Sequence, residues 1–296
     1  MNFDFTGNDA TVAMSGDFTF TDHAAFLELM NRLFATASVP IVIDLAKVEF
    51  IDSAGLGMLL IARDEAKLAA ARQSVAAGSP GAAVSIASAD VSREADLLAA
   101  ILAVEKANGP VDILITSAGV ARPGYFEEVP VAEFERSMAV NYFGTLYALK
   151  AVVPGMRSRG HGSVVLISSG AGLVGLFGYT PYAPAKFAVR GLAEALRAEL
   201  KPAGVLVTLV YPPDTDTPQL AEENLTKPIE TKALTAEAGL WSADAVARVT
   251  LEGMERGSFV VTPGFPLTAL NLLHSLLAPV FCWWFDRVAA KARRAR

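Results

Sequence analysis

A single cysteine, Cys282, is all the thiol the 296 residues contain, so no disulfide can close within the chain, and the composition suits a reducing compartment. Histidine is almost as scarce. His23 and His161 have no metal-ligand partners at suitable spacing, and His274 sits in an apolar run where packing accounts for it, so no metal site is expected. Positive charge is not in excess either: the net charge is −6, which argues against nucleic acid as a partner of the body of the protein. The opening residues MNFDFTGNDA carry acids and no basic stretch before an apolar run, so no signal peptide is expected.

What the chain does have is apolar content, 52% of its residues, enough to bury one large core. Strands are predicted at 84–87, 112–116, 164–167 and 205–210. Between them lie helical patterns. One is capped by Ser92, carries Leu98, Ile101 and Leu102, and stops at Gly109-Pro110; another surrounds Asn141 and Tyr142 and is interrupted at Pro154; a third covers 182–200. This alternation predicts an α/β fold with a doubly wound parallel sheet, which binds ligands at the carboxyl ends of its strands.

One stretch carries chemistry. Ser169 ends a buried strand, Tyr182 follows thirteen residues later, and Lys186 stands four residues beyond it on the same helix face. An ammonium there favours the phenolate and should lower the tyrosine pKa from about 10. The serine can hydrogen-bond the same small carbonyl group, making an acid site for carbonyl reduction. A Y-x-x-x-K pair alone is usually only a solvated pair, and the serine at the strand end is what raises this one above that.

Those residues, with Asn141 of VNYFG upstream, resemble the active site of the short-chain dehydrogenase/reductase family. The resemblance implies that Tyr182 gives the proton, Lys186 tunes it and touches the cofactor ribose, Ser169 holds the carbonyl and Asn141 supports a water relay. It also implies an NADPH site. Asp90 would meet the adenine, Ser117-Ala118-Gly119 stands where the family has an Asn-Asn-Ala-Gly turn, Pro212, Pro213 and Thr217 match the turn over the nicotinamide, and Arg63 matches the residue that holds the 2′-phosphate. Two stretches, LFGYTPYAPAKFAVRGLAEALRAELKP and YPPDTDTPQLAEENLTKPIETKAL, resemble the 3-ketodihydrosphingosine reductases, which implies a long-chain keto lipid substrate, 3-ketosphinganine. The second is read as a long polar loop that lids the site.

The front of the chain departs from that family. Strands are predicted at 11–14 and 40–45, with a helix from Thr21 carrying Phe26, Leu29, Met30, Leu33 and Phe34. FIDSAGLGMLLIARDEA then resembles the loop of STAS domains, the anti-sigma-factor antagonist family, with Asp52 and Ser53 at the start of a helix near Ala54. In that family the residue matching Ser53 is phosphorylated by a partner kinase; here Asp52 and Ser53 could instead simply cap the helix. No T-G-x-x-x-G-x-G motif precedes Arg63, and in the register given by strand order its place is taken by residues 15–22, where only Gly16 survives. Phe20 and Asp22 would fill the phosphate space. Charge at Asp17 and Asp22 would repel a phosphate by on the order of 4 kcal/mol at close range. Arg63 belongs to both resemblances, and in the STAS pattern it would lie inside the helix.

The chain is therefore divided into a STAS-like segment at 1–61 that completes the sheet, a reductase core at 62–265, and an apolar helix with a basic tail at 266–296. Residues 267–285 are mostly apolar, broken at Pro279, and end in Trp283-Trp284 beside Arg287, Lys291, Arg293, Arg294 and Arg296. That pattern suits an interfacial or re-entrant helix at the cytoplasmic face of a membrane, with a membrane-spanning helix, a dimer-packing helix and a cytoplasmic protein as the alternatives. Two rivals to the reductase stay open: a regulatory protein recognised at Ser53 by a kinase or anti-sigma factor, and an inert chimera.

Overall fold

The computed structural model describes residues 2–6, 11–18, 42–51, 57–78, 83–235 and 239–294. They form two compact units, Met1–Ser88 and Ala89–Arg296. In the first, β1 (Asn2–Thr6) runs antiparallel to β2 (Thr11–Phe18), and β2 runs parallel to β3 (Val42–Ile51). The turn expected at 15–22 does not start where the sequence suggested. Gly16 lies inside β2, because Ser15, Asp17 and Phe18 go on pairing with Lys47, Phe50 and Ile51; one glycine permits a turn but cannot impose one on a strand whose ladder continues. The helix expected from Thr21, the residues Phe20, Asp22 and His23, and the Asp52-Ser53 loop lie outside the described residues.

The same unit holds a second correction. Where a helix was expected from Ala54, β4 (Gly57–Ala62) pairs in parallel with β5 (Ala83–Ser88), and α1 (Glu65–Gly78) follows only after it. A six-residue apolar run reads equally well as helix or buried strand, and here the partner strand decides. Arg63 consequently stands directly after a strand, and its backbone carbonyl accepts from Ser88 Oγ at 3.2 Å.

The second unit is built on a parallel sheet. After α2 (Glu94–Asn108) come β6 (Ile113–Thr116), β7 (Gly162–Ile167), β8 (Val205–Val210) and the short β11 (Val260–Val261), in the spatial order β11-β8-β7-β6. Val164, Val165 and Leu166 of β7 alternate between faces and all are buried, so both faces are covered, as a parallel sheet requires. Ser92 does not cap α2 as expected; its hydroxyl donates instead to Asp90 Oδ1 at 2.7 Å, and Arg93 takes the cap position without a side-chain bond. Gly109 closes that helix with φ of 91°.

Three long helical stretches frame the site. The first is α3 (Val131–Ser137), a π-helical turn (Met138–Phe143) and α4 (Gly144–Arg159), which continues through Pro154 rather than stopping there. The second is α5 (Tyr182–Leu200), as predicted. After β8 the polar segment is not a plain loop: it passes through β9 (Thr215–Asp216) and folds into α6 (Pro218–Thr226) and α7 (Ile229–Thr235). Beyond β10 (Trp241–Ser242), α8 (Ala243–Glu255) packs Met254 into a cluster with Val165, Val210 and Val261. The third long stretch, α9 (Phe265–Arg294), runs unbroken past Pro279, since a proline removes only one of the many bonds of a thirty-residue helix, and it packs against α7. Among the described residues no helix is long and apolar enough to cross a membrane.

Candidate active site

The sequence places Tyr182 at the first position of α5, where its backbone N–H donates to Tyr179 O at 3.0 Å. One turn on, Lys186 is only 4% exposed, and its Nζ donates to the carbonyl of Ile167, the last residue of β7, at 2.9 Å. The same Nζ lies 5.5 Å from the centre of the Tyr182 ring. Ser168 Oγ returns a bond to Lys186 O at 3.0 Å, so helix and strand end are fastened twice. Gly172 is needed there because a side chain would run into the Ser168 hydroxyl and the Lys186 backbone.

Ser169 opens the short turn Gly170–Gly172, its Oγ accepting from Ala171 N at 3.2 Å, and its side chain is close enough to the Tyr182 hydroxyl to favour the phenolate. Ser169, Tyr182 and Lys186 are thus brought together at the carboxyl end of β7. Their electrostatics differ from expectation. Burial pushes the Tyr182 pKa well above its ordinary 10, and the negative charges of Glu223 and Asp214 add to this, while the nearby Ser169 side chain pulls the other way. The lysine does not win because its ammonium is aimed at Ile167 O and over the ring. Burial lowers Lys186 to about 8, against the opposing pull of Glu223. The site is a tyrosine held protonated beside a lysine that titrates near neutrality.

Asn141, 1% exposed, lies in the π-helical turn. Its Nδ2 donates to Val120 O and Ser137 O, both at 2.9 Å, and its Oδ1 accepts from Val120 N at 3.1 Å. The side chain clamps the loop that follows β6. That loop contains Ser117, Ala118 and Gly119; a Cβ on Gly119 would stand 2.9 Å from Asn141 Oδ1 and 3.9 Å from Lys186 Nζ. The backbone there is bare by steric necessity.

The other nominated residues are dispersed. Asp90 follows β5 and accepts from Ser92 N at 2.9 Å. Pro212 O accepts from Gly170 N at 3.2 Å, tying the turn after β8 to the Ser169 turn, and Pro213 O accepts from Thr215 Oγ1. Thr217 caps α6, its Oγ1 accepting from Leu220 N at 3.3 Å. The residues present fit the nicotinamide end of a dinucleotide: the side-chain-free backbone of Gly119, a lysine and two tied turns at adjacent strand ends. For the pyrophosphate end the described residues offer no glycine-rich turn, β2 running straight through Gly16.

Sequence reasoning missed the contribution of α6. Tyr179 Oη donates to Glu223 Oε2 at 2.6 Å and Gln219 Nε2 to Glu223 Oε1 at 2.9 Å. The i,i+4 spacing of Gln219 and Glu223 was the available signal, hidden by reading the segment as loop. Also missed was the clasp of Glu230 on α7, 1% exposed, which accepts from Arg293 Nε at 2.7 Å and from Tyr125 Oη at 3.1 Å.

The short chain dehydrogenase family profile matches residues 43–228. The chain belongs to that family. The match begins upstream of residue 62, so residues 43–61, read above as part of a STAS-like segment, fall inside it. Among curated relatives, 3-dehydrosphinganine reductase of Danio rerio is 44% identical over 230 residues, covering 76% of this chain and 69% of that protein. 3-Ketodihydrosphingosine reductase of Mus musculus is 42% identical with the same coverage. Among solved structures, a short-chain dehydrogenase from Sphingobium yanoikuyae in complex with NADPH is 27% identical with a TM-score of 0.64, covering 76% of this chain and 85% of that one. Levodione reductase, 24% identical over 72% of this chain and 90% of its own, has the same fold at a TM-score of 0.64.

Proposed function

We propose that this chain reduces the ketone of 3-ketosphinganine to the secondary alcohol of sphinganine with NADPH. The observation that carries the reading is the meeting of Ser169, Tyr182 and Lys186 at the end of β7, in a chain that is 42–44% identical to enzymes bearing that activity in their names. Ser169 donates to the ketone oxygen. Tyr182, kept protonated by its surroundings, gives its proton to the developing alkoxide, which is far more basic than a phenolate. When bound, NADPH supplies the hydride for the carbonyl carbon. Lys186 holds the ribose, Gly119 lets the cofactor approach the backbone, Asn141 keeps that backbone in place, and Arg63 is assigned to the 2′-phosphate. Pro212, Pro213 and Thr217 shape the turn over the nicotinamide, and Asp90 is assigned to the adenine.

In the same reading α9 serves the lipid. Phe265, Leu272, Val280 and Trp283 are exposed on it, Arg287 stacks 4.3 Å from the Trp283 ring, and Lys291 and Arg294 follow. Such a helix suits the cytoplasmic surface of a bilayer holding the substrate, and a second copy of the chain is the competing occupant. The test of the activity is to incubate the purified protein with NADPH and 3-ketosphinganine, following nicotinamide absorbance and identifying sphinganine by mass spectrometry. Absence of sphinganine at millimolar NADPH overturns it. Flotation with anionic vesicles, lost on removing residues 266–296, tests the membrane surface; a dimer that ignores vesicles refutes it.

A further inference from the structure

Two other carboxylates in the segment after β8, the part-buried Asp214 and the buried Glu230, each have a cation. Asp214 meets Lys227 Nζ at 3.1 Å, and Glu230 meets Arg293 Nε at 2.7 Å. Glu223 is 8% exposed and differs: both its oxygens accept from neutral donors, the Tyr179 hydroxyl and the Gln219 amide. Lys227 lies 5.9 Å from the Tyr179 ring centre but is bonded to Asp214. A carboxylate buried among neutral partners is unfavourable until a cation joins it.

Glu223 stands one aromatic ring away from the reacting tyrosine. The Tyr179 ring, which holds Glu223, is 5.7 Å from the Tyr182 ring. Gln219 Oε1 and Lys186 Nζ both come within 3.9 Å of the point where Gly119 would carry a Cβ. The charge of Glu223 is felt at both the Tyr182 hydroxyl and the Lys186 ammonium, raising the proton affinity of each.

We propose that Glu223 binds the ammonium group of a 2-amino-3-ketone substrate and so selects amino ketones over neutral ketones. The inference rests on the reading of the substrate given above, a sphingoid base whose amino group is on the carbon next to the ketone. With the ketone oxygen on Ser169 and Tyr182, the ammonium one carbon away is the group left to meet a carboxylate. Its arrival gives Glu223 a directly bonded cation, which the Tyr179 hydroxyl and the Gln219 amide do not supply, and fixes the substrate by two points of its polar head. The alkyl chain adds none of this discrimination.

The test uses the full-length chain as wild type and Glu223→Gln, with a short-chain 2-amino-1,3-diol and the same diol without the amine. Calorimetric affinities are measured for both diols, and kcat/KM for the two corresponding 3-ketones. A charge-assisted bond predicts that the wild type favours the amine by roughly ten- to hundredfold. Glu223→Gln should reduce that preference to below about threefold while the neutral compound binds as before, which also shows that the variant is folded. Equal affinity of the wild type for both diols overturns the proposal, as does a variant that weakens both alike, the mark of a scaffold for Tyr179. A wild type that reduces neither ketone, yet keeps an amine preference that Glu223→Gln removes, refutes the reductase reading and leaves the ammonium site standing.

Discussion

The two units of the chain carry their candidate site residues in opposite ways. In Ala89–Arg296 the nominated chemistry is fastened to strand ends: Lys186 to Ile167, the Ser169 turn to Pro212, Asn141 to Val120. In Met1–Ser88 the residues nominated for the cofactor phosphates are a strand glycine and an arginine after a strand. The contrast teaches that acid chemistry is written in side-chain spacing on a helix. Phosphate binding is written in backbone conformation, which spacing alone does not report.

The largest test of that contrast is Tyr182→Phe. It should lower kcat for ketone reduction by about 10³-fold while leaving the NADPH dissociation constant unchanged, because only the proton donor is lost. A matching loss of NADPH affinity would break the separation between the two functions. Arg63→Ala is the counterpart in the first unit: fluorescence titration should show NADPH bound roughly ten- to hundredfold more weakly and NADH unaffected, the worth of one charge-assisted phosphate contact. Equal effects on both cofactors would take Arg63 away from the 2′-phosphate.

A third prediction concerns pH. Burial holds Lys186 to about 8 against an ordinary 10.5, so kcat/KM should fall as pH rises past about 8 and the ammonium is lost. Stability moves the other way. Between about 8 and 10.5 the unfolded lysine keeps a proton that the folded one has released, so this group makes denaturant stability rise with pH across that window. Parallel pH profiles of activity and unfolding check both signs, and Lys186→Met should flatten the second.

The smallest effect is expected at the Glu230 clasp. Burial alone would raise the Glu230 pKa, but the bonds from Arg293 and Tyr125 outweigh it and hold it below 4.5. The stability it gives is present above its unfolded pKa and is lost as pH falls through the lower folded value. Arg293→Ala should therefore melt slightly earlier at neutral pH and show less additional loss in acid than the wild type, as read by thermal unfolding.

Much of the second unit was legible. Helix 182–200 and strand 205–210 appear at the expected residues because their hydrophobic periods have one interpretation. The stretch 57–62 had two, and the pairing of β4 with β5 chose strand over helix. The α6 helix was obscured because its polar residues look like loop, although Tyr179 draws Glu223 inward from 44 positions away.

By itself the sequence determined that a serine, a tyrosine and a lysine would share one strand end, since a spacing of four on a helix and an apolar run before it are local properties. The tertiary structure decided that Tyr182 keeps its proton, that Lys186 titrates near 8, and that Glu223 is buried among neutral partners. Those outcomes are sums of burial and charge over segments far apart in the chain, and no local pattern contains them.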